Sequence, residues 1–260
     1  MFTNQDFKEY RRKIGFTNAN NLKTFFSAKD IKSEIDYTYL EKLNQRLKDI
    51  VMTINDAVDK TIRVNNIDLF CNEYIDKVFK ALKENDILPR LNNQGRRPEE
   101  VYYSWMRGNI MAIFFTKAIS MIFGINENEI RVIGKDNIDE IESFSRQPTA
   151  DLELFLDGKT IRVEMQSGYQ GVNDIKQHKV REAKNQFEEK GIHSIIIHFD
   201  LYNGQVAFVN ISRIQENDIN WITRQQMEGQ TVFNINQDYF IWQITENYPA
   251  IADINECIFD

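Results

Sequence analysis

The chain has 260 residues, enough for one large domain or two small ones with a substantial core. Hydrophobic residues make up 42% of it and charged residues 27%, with only 4 prolines and 11 glycines, which excludes a disordered or fibrous protein. The net charge of −7 argues against non-specific nucleic-acid binding through a basic body, although a local groove can still be basic. Cys71 and Cys257 show neither metal-ligand spacing nor a disulfide framework, so an intracellular, reducing compartment is expected.

No segment of the chain is predicted to cross a membrane. The first residues lack the apolar core of a signal peptide. The longest apolar stretch, residues 110–124, is interrupted by Lys117 and is too short to span a bilayer. We therefore predict that it forms a buried helix and that the protein has no membrane partner.

The first 90 residues are predicted to be mostly helical. Apolar residues recur at spacings of three and four along residues 37–60 and again along 66–84, which is typical of amphipathic helices. The polar segment 90–100 separates this region from the rest. We predict a helical region at 1–90 and a core with a C-terminal extension at 91–260.

The order of elements after this boundary indicates an α+β fold in which helices flank a mixed sheet. One helix is predicted from Pro98 to Gly124 and another over residues 172–190, because Pro suits a first helical turn and Gly a helix end. Strands are predicted at 129–134, on both sides of Asp157-Gly158, and at 192–201, 205–212 and 239–244.

The stretch PTADLELFLDGKTIRVEMQ, residues 148–166, predicts a two-residue β-hairpin, because Asp-Gly lies between two alternating runs. Pairing Leu156 with Lys159 at the turn places the apolar side chains of both strands on one face. On the opposite face the same register pairs Glu153 with Arg162, an opposite-charge pair. One step further along that face it pairs Asp151 with Glu164.

The predicted register brings the like charges of Asp151 and Glu164 together, with Cβ atoms roughly 5 Å apart. A divalent cation such as Mg²⁺ would relieve the repulsion, since carboxylate oxygens are the ligands it prefers. Gln166 projects to the same side of its strand as Glu164. Alternatively, the two acids splay apart on a solvated face.

At these residues the chain resembles the PD-(D/E)XK nuclease superfamily, and within it the type II restriction endonucleases. The family motif is Pro-Asp, a gap, then an acid, one residue and Lys, which would correspond to Pro148, Asp151, Glu164 and Gln166. The predicted order of elements over residues 98–212 is similar to the restriction-endonuclease-like core. Pro148 is three residues before the aspartate rather than adjacent to it.

Gln166 stands where the family motif has Lys. Some restriction enzymes of the superfamily carry Gln there, and in others the lysine has moved to the following helix. Lys176 or Lys179 would take that part in this chain.

The resemblance implies a Mg²⁺ site, in which Mn²⁺ can substitute, held by Asp151, Glu164 and the backbone carbonyl of Met165. An acid on the first core helix, Glu99 or Glu100, would complete the set of metal ligands, and we assign this role to Glu100. Both acids alternatively complement the positive end of that helix. The catalytic residues implied are Asp151, Glu164 and Gln166, with Gln166 orienting the attacking water.

Basic and polar residues around this hairpin are candidates for contacts to DNA. Arginine suits bidentate phosphate binding, and the glycine-containing loop 167–174 lets a backbone approach DNA closely. Alternatively, the segment that contains Arg96 and Arg97 is a solvated loop, and the segment 167–174 is a tight connection between two elements. The candidates are Arg96, Arg97, Tyr169, Gln170, Asn173, Lys176 and Lys179, with Arg90 and Arg107 nearby.

The leading hypothesis is a Mg²⁺-dependent, sequence-specific endonuclease that hydrolyses phosphodiester bonds of double-stranded DNA. It is expected to act on DNA as a homodimer in the cytoplasm of a bacterial or archaeal cell, so that two sites meet two strands. The helical region at 1–90 is then expected to serve dimerisation or DNA recognition. A catalytically inactive DNA-binding module of the same fold is an alternative, favoured by Gln166 and by the acidic pI. A repair, junction or RNA-processing nuclease is another.

Overall fold

The computed structural model describes residues 2–28, 30–31, 33–91, 96–133, 152–156, 158–225 and 229–254. Its helices and strands form an α+β fold with a mixed sheet flanked by helices, which confirms the predicted fold class. Asp151, Pro148 and Asp157, which belong to the predicted hairpin motif, lie outside the described residues.

The N-terminal third is helical, as predicted. The predicted helix 37–60 ends a little earlier, at Ala57, and the predicted helix 66–84 is interrupted by a π-helical turn at Asn72–Asp76. Four of the five α-helices described in this region begin at a side-chain cap, as where Asp36 accepts a hydrogen bond from the Tyr39 amide. The helices are α1 (Asn4–Lys13), α2 (Ala19–Phe26), α3 (Tyr37–Ala57), α4 (Ile67–Cys71) and α5 (Lys77–Glu84), followed by a 3₁₀ turn at Leu88–Leu91.

Helix α6 (Pro98–Phe123) is the longest helix of the described chain and its bounds agree with the prediction. Pro98 occupies its first turn, and Gly124 ends it in the left-handed conformation with φ of 64°. By length and composition α6 is apolar enough to cross a membrane, but 56% of the residues in its apolar window are buried inside the protein. Such a helix is weak evidence for a membrane span, because core helices have the same composition.

Within the described residues, the main sheet has six strands in the order β1-β2-β3-β5-β6-β9. The β2–β3 hairpin has the predicted register, with Glu153 opposite Arg162 and Leu156 opposite Lys159. Strand β3 runs parallel to β5, whereas the other neighbours are antiparallel, so the sheet is mixed. The strands are β1 (Arg131–Val132), β2 (Leu152–Leu156), β3 (Lys159–Gly168), β5 (His193–Asp200), β6 (Gln205–Asn210) and β9 (Phe240–Gln243).

A second sheet of three strands, in the order β4-β8-β7, was not predicted. Its strands are β4 (Asp174–Lys176), β7 (Trp221–Arg224) and β8 (Gln230–Asn234). The predicted helix start at residue 172 is wrong, because residues 174–176 pair with β8 and bury Ile175 opposite Phe233. Helix α7 begins only at Gln177 and ends at Lys190, before Gly191.

Two hydrophobic clusters lie on opposite faces of the main sheet. One joins α3, α5 and α6 to the sheet, with Leu47, Phe115 and Ile161 as members. The other joins α7 and the small sheet to the second face, with Val180 and Ile196 as members. Residues from both sides of position 90 thus share one cluster, and the division at 90/91 stays a prediction.

Candidate functional site

Glu164 lies in the middle of β3, on the face of the main sheet that α7 covers. Strand alternation sends its neighbours Val163 and Met165 into the cluster on the other face. Glu164 itself is paired with Ile196, a member of the cluster under α7. Its side chain is only 16% exposed, so the carboxylate needs a compensating partner.

Lys179 and Gln166 supply that compensation. The Lys179 ammonium forms an ion pair with Oε1 of Glu164, and Gln166 Nε2 donates to the same oxygen over 3.0 Å. Of the two lysines that sequence reasoning left open, the structure therefore brings Lys179 to the glutamate, while Lys176 is exposed. We call Glu164, Gln166 and Lys179 the β3–α7 cluster.

The start of α7 at Gln177 explains why Lys179, and not Lys176, contacts Glu164. In its first turns the helix buries Val180 and Ala183 against the sheet. Lys179 precedes Val180 directly and therefore reaches along the edge of this buried face toward β3. Lys176 belongs to β4, where it pairs with Val232.

The second predicted carboxylate, that of Asp151, lies outside the described residues. Strand β2 begins at Leu152, opposite Val163. Among the described residues no group of three or more His, Cys, Asp and Glu side chains could hold a metal ion. The described part of the site thus provides one carboxylate, the amide of Gln166 and the backbone of Met165.

The two acids at the start of α6 have different environments. Glu99 is buried, and its Oε1 accepts hydrogen bonds from the Asp36 amide (2.8 Å) and from Arg97 Nη2 (3.0 Å). Burial by itself raises the pKa of Glu99, but these hydrogen bonds outweigh it and leave that pKa below its usual value. Glu100, the acid assigned to the metal, is exposed. Glu99 therefore connects α6 to the start of α3.

Two of the arginines considered for DNA contact lie at α6: Arg96 is exposed just before the helix, and Arg107 is partly buried within it. Arg96 donates to the Glu100 carbonyl, and Tyr103 and Arg107 follow on the same side at helical spacing. The Arg107 guanidinium stacks on the rings of Tyr103 and Tyr169, with Cζ 5.6 Å and 4.5 Å from the ring centroids. This contact brings the loop after β3 to α6.

The remaining candidates are divided between the surface and the interior. Gln170 is exposed, as a contact to DNA requires, and Arg97 is paired with Glu99. Asn173 is buried: its Nδ2 donates to Asp200 (3.2 Å), and its Oδ1 is 2.7 Å from Nε2 of His198. This position gives Asn173 a structural role and does not support the predicted contact to DNA.

Sequence reasoning missed this buried polar network around Asp200. Asp200 is 1% exposed and also accepts hydrogen bonds from Asn203 Nδ2 (2.7 Å) and from the Tyr202 amide (3.1 Å). The turn residues Asn203-Gly204 after a strand were the available signal for a capped turn, but the link back to Asn173 is long-range. The network ties the loop after β3 to the end of β5.

Comparison with known proteins adds no relative. No family model matches the chain, and no curated protein and no solved structure is significantly similar to it. The chemical interpretation of the β3–α7 cluster therefore depends on its own residues and geometry.

Proposed function

We propose that the chain is a Mg²⁺-dependent endonuclease that hydrolyses phosphodiester bonds of double-stranded DNA. The observation that carries this proposal is the β3–α7 cluster, in which a largely buried carboxylate, an amide and an ammonium group converge. Charged groups are costly to bury unless they are paired, so their convergence under α7 makes this position a candidate functional site. The proposal also draws on the resemblance to the PD-(D/E)XK superfamily. Helix α6, strands β1 to β3, helix α7 and strand β5 follow one another in the predicted order, with the unpredicted strand β4 between β3 and α7.

The donor atoms suit Mg²⁺ with a second carboxylate present. Mg²⁺ is usually bound by one or two carboxylates together with water and substrate oxygens. Glu164 supplies the first, and the proposal assigns the second to Asp151, with the Met165 carbonyl and Glu100 as further ligands. The bound ion, or Mn²⁺ in its place, would supply Lewis-acid activation of the phosphate and of a water molecule.

The side chains of the cluster have separate tasks in this proposal. Lys179 holds Glu164 in place and offers positive charge to the negative charge that develops on the phosphate during hydrolysis. Gln166 cannot take a proton at neutral pH, but its side-chain oxygen can accept a hydrogen bond from the attacking water and orient it. Arg96 and Tyr169 are exposed and Arg107 stacks on the Tyr169 ring, and the proposal assigns these three side chains to contacts with the DNA backbone.

Cleavage of a supercoiled plasmid in the presence of Mg²⁺ tests the proposal. Glu164→Gln and Asp151→Asn are expected to reduce the rate at least about 100-fold, because each removes a charged ligand without changing the side chain's size. Glu182→Gln, an exposed acid on α7, is the matched control and should cut like the wild type. Equal rates for all four proteins would refute this site.

The products distinguish the kinds of nuclease. Discrete fragments from a plasmid of known sequence are expected for a restriction-type enzyme. Cutting only at junctions, lesions or RNA would instead support the repair or RNA-processing alternative. The restriction-type enzyme is proposed to act as a cytoplasmic homodimer.

One observation favours the second candidate, a catalytically inactive DNA-binding module. Glu164 is already neutralised by Lys179, so the described residues do not need a metal ion for charge balance. Calorimetric titration with Mg²⁺ and Mn²⁺ separates the candidates. The nuclease should bind either ion with heat that Glu164→Gln abolishes, whereas the module should bind DNA without any such heat.

A further inference from the structure

The first 31 residues form a segment that buries none of its described side chains. We call the described residues from Phe2 to Ile31, which include α1 and α2, the N-terminal arm. Neither helix of the arm contains a buried residue. Six of its large apolar side chains are between 47% and 83% exposed: Phe2, Phe7, Tyr10, Phe25, Phe26 and Ile31.

The arm nevertheless has well-defined local structure. Thr3 and Asp6 form a reciprocal capping box at the start of α1, and Asn18 caps α2. The rings of Phe16 and Phe25, 5.1 Å apart, connect the two helices. Helices of 10 and 8 residues are marginal by themselves in water, so their stability is expected to come from packing on another surface.

The arm also differs from the rest of the chain in charge. Residues 1–31 contain six Lys and Arg against three Asp and Glu, whereas the remaining residues contain 26 against 36. The arm segment is thus net positive by three and the remainder net negative by ten. Opposite net charges favour contact between an arm and the body of the protein.

We propose that the N-terminal arm binds the body of a second copy of this chain, so that two copies exchange arms in a symmetric dimer. The six exposed apolar side chains of one arm together present roughly 700 Å² of accessible surface. Two such contacts reach the area of stable interfaces, about 1,200–2,000 Å² in total. Exchange of identical arms satisfies the two-fold symmetry that most homodimers have.

Charge selects this arrangement over direct packing of the two arms on each other. Two positively charged arms repel, whereas an arm and an acidic body attract. The dimer is accordingly expected to weaken when the salt concentration rises, because salt screens exposed charges. The proposal requires neither DNA nor a metal ion and is independent of the proposed nuclease activity.

Sedimentation equilibrium of the full-length protein, without DNA or Mg²⁺, tests the proposal. The wild type is expected to have twice the monomer mass of 30.7 kDa at micromolar concentration. Tyr10→Ser combined with Phe26→Ser should raise the dissociation constant about 30-fold or more, since two exposed rings are lost from the contact. Gln5→Ser combined with Asn21→Ser, on the same two helices, is the control and should leave the constant within about threefold.

Cross-linking identifies which surface the arm contacts. A photoreactive phenylalanine analogue at position 26, in a mixture of isotopically labelled and unlabelled copies, should give mixed-isotope peptides joining the arm to residues 33–254. Peptides joining two arms, or only same-copy peptides, would overturn the proposal. So would a monomeric wild type at about 50 µM, including one that instead binds anionic vesicles or DNA through the arm.

Discussion

The ammonium group of Lys179 on α7 forms an ion pair with the carboxylate of Glu164 on β3. The two side chains are only 23% and 16% exposed, so solvent screens the pair less than it screens a surface salt bridge. The pair connects the helix to the strand across the edge of a hydrophobic cluster. Gln166 donates to the same carboxylate oxygen but carries no charge. Loss of Lys179 therefore removes the only cation at this carboxylate among the described residues.

Replacing Lys179 by Met should therefore affect both stability and activity. The free energy of unfolding is expected to fall by about 1–3 kcal/mol, because a largely buried carboxylate loses its charged partner. Plasmid cleavage should fall at least about 100-fold under the proposed mechanism. Lys190→Met, at an exposed lysine near the end of α7, should leave cleavage unchanged and alter the free energy of unfolding by less than about 0.5 kcal/mol. Equal losses in the two variants would show that the ion pair has no special role.

The cross-strand pair of Glu153 and Arg162 tests the hairpin register. Glu153 lies 3.5 Å from Arg162 Nε and 3.8 Å from Nη1 of Arg131 on the neighbouring strand. Glu153→Arg and Arg162→Glu should each cost about 0.5–1 kcal/mol of unfolding free energy. The double variant should recover part of that loss but not all, because Arg131 then faces a like charge. Urea unfolding of the four proteins gives the coupling; a strictly additive double variant would contradict it.

The hairpin could be predicted because its signals are local. The Asp-Gly turn and the alternation on both sides of it set every pair from Leu152–Val163 to Leu156–Lys159. The small sheet could not be predicted, because Asp174–Lys176 has only three residues and pairs with a strand almost 60 positions later. The strongest sequence signal in this three-residue strand is the apolar residue Ile175, which is buried in the structure but is equally compatible with a helix.

The candidate site was predicted in part for the same physical reasons. Strand alternation correctly places Glu164 and Gln166 on one face, as their shared hydrogen bond shows. The choice between Lys176 and Lys179 depends on where α7 begins, and that start is set by the long-range pairing of β4. The burial of Asn173 likewise depends on Asp200 and His198, which reach it only through the parallel pairing of β3 and β5.

The bidentate pair of Arg224 and Asp174 should be the strongest ionic contribution to the small sheet. The arginine donates over 2.8 Å and 3.0 Å to a carboxylate that is only 6% exposed. Arg224→Met should cost about 2–4 kcal/mol, because it leaves a buried charge without its cation. Arg224→Lys should recover only part of this, since an ammonium group cannot bind both oxygens as a fork does.

A double variant separates the contribution of the Arg224–Asp174 ion pair from the cost of leaving the Asp174 carboxylate without a cation. Arg224→Met combined with Asp174→Asn removes both charges, and Asn234 Nδ2, 3.1 Å from Asp174 Oδ1, can still donate to the remaining amide oxygen. Its free energy of unfolding should exceed that of Arg224→Met alone. Chemical denaturation measures all three variants, and a double variant less stable than the single one would contradict the argument.

His198 should make the stability of the protein depend on pH below neutrality. The imidazole is 4% exposed, its Nε2 is 2.7 Å from Oδ1 of Asn173, and its Nδ1 has no hydrogen-bond partner among the described residues. Burial lowers the pKa of His198 to about 4, although the nearby Asp200 and Asp174 act in the opposite direction. The folded state therefore resists protonation at a pH where the unfolded chain accepts the proton.

The sign of the effect follows from this difference in proton binding. Below the unfolded pKa of about 6.5 the unfolded state binds more protons, so the free energy of unfolding falls as the pH is lowered from 6.5 toward 4, by up to about 3 kcal/mol from this residue. Burial also lowers the pKa of His193, which adds to the same slope. Hydrogen bonds keep the pKa of Asp200 below its usual value despite burial, so its own contribution is lost only at lower pH.

Urea unfolding between pH 4 and 7 separates these contributions. His198→Gln has no group to titrate at this position and should show a shallower pH dependence than the wild type, even where its absolute stability is lower. His193→Gln should reduce the slope less, because burial shifts the pKa of His198 further. An unchanged slope in His198→Gln would mean that the pKa of this imidazole is the same in the folded and unfolded states, contrary to its burial.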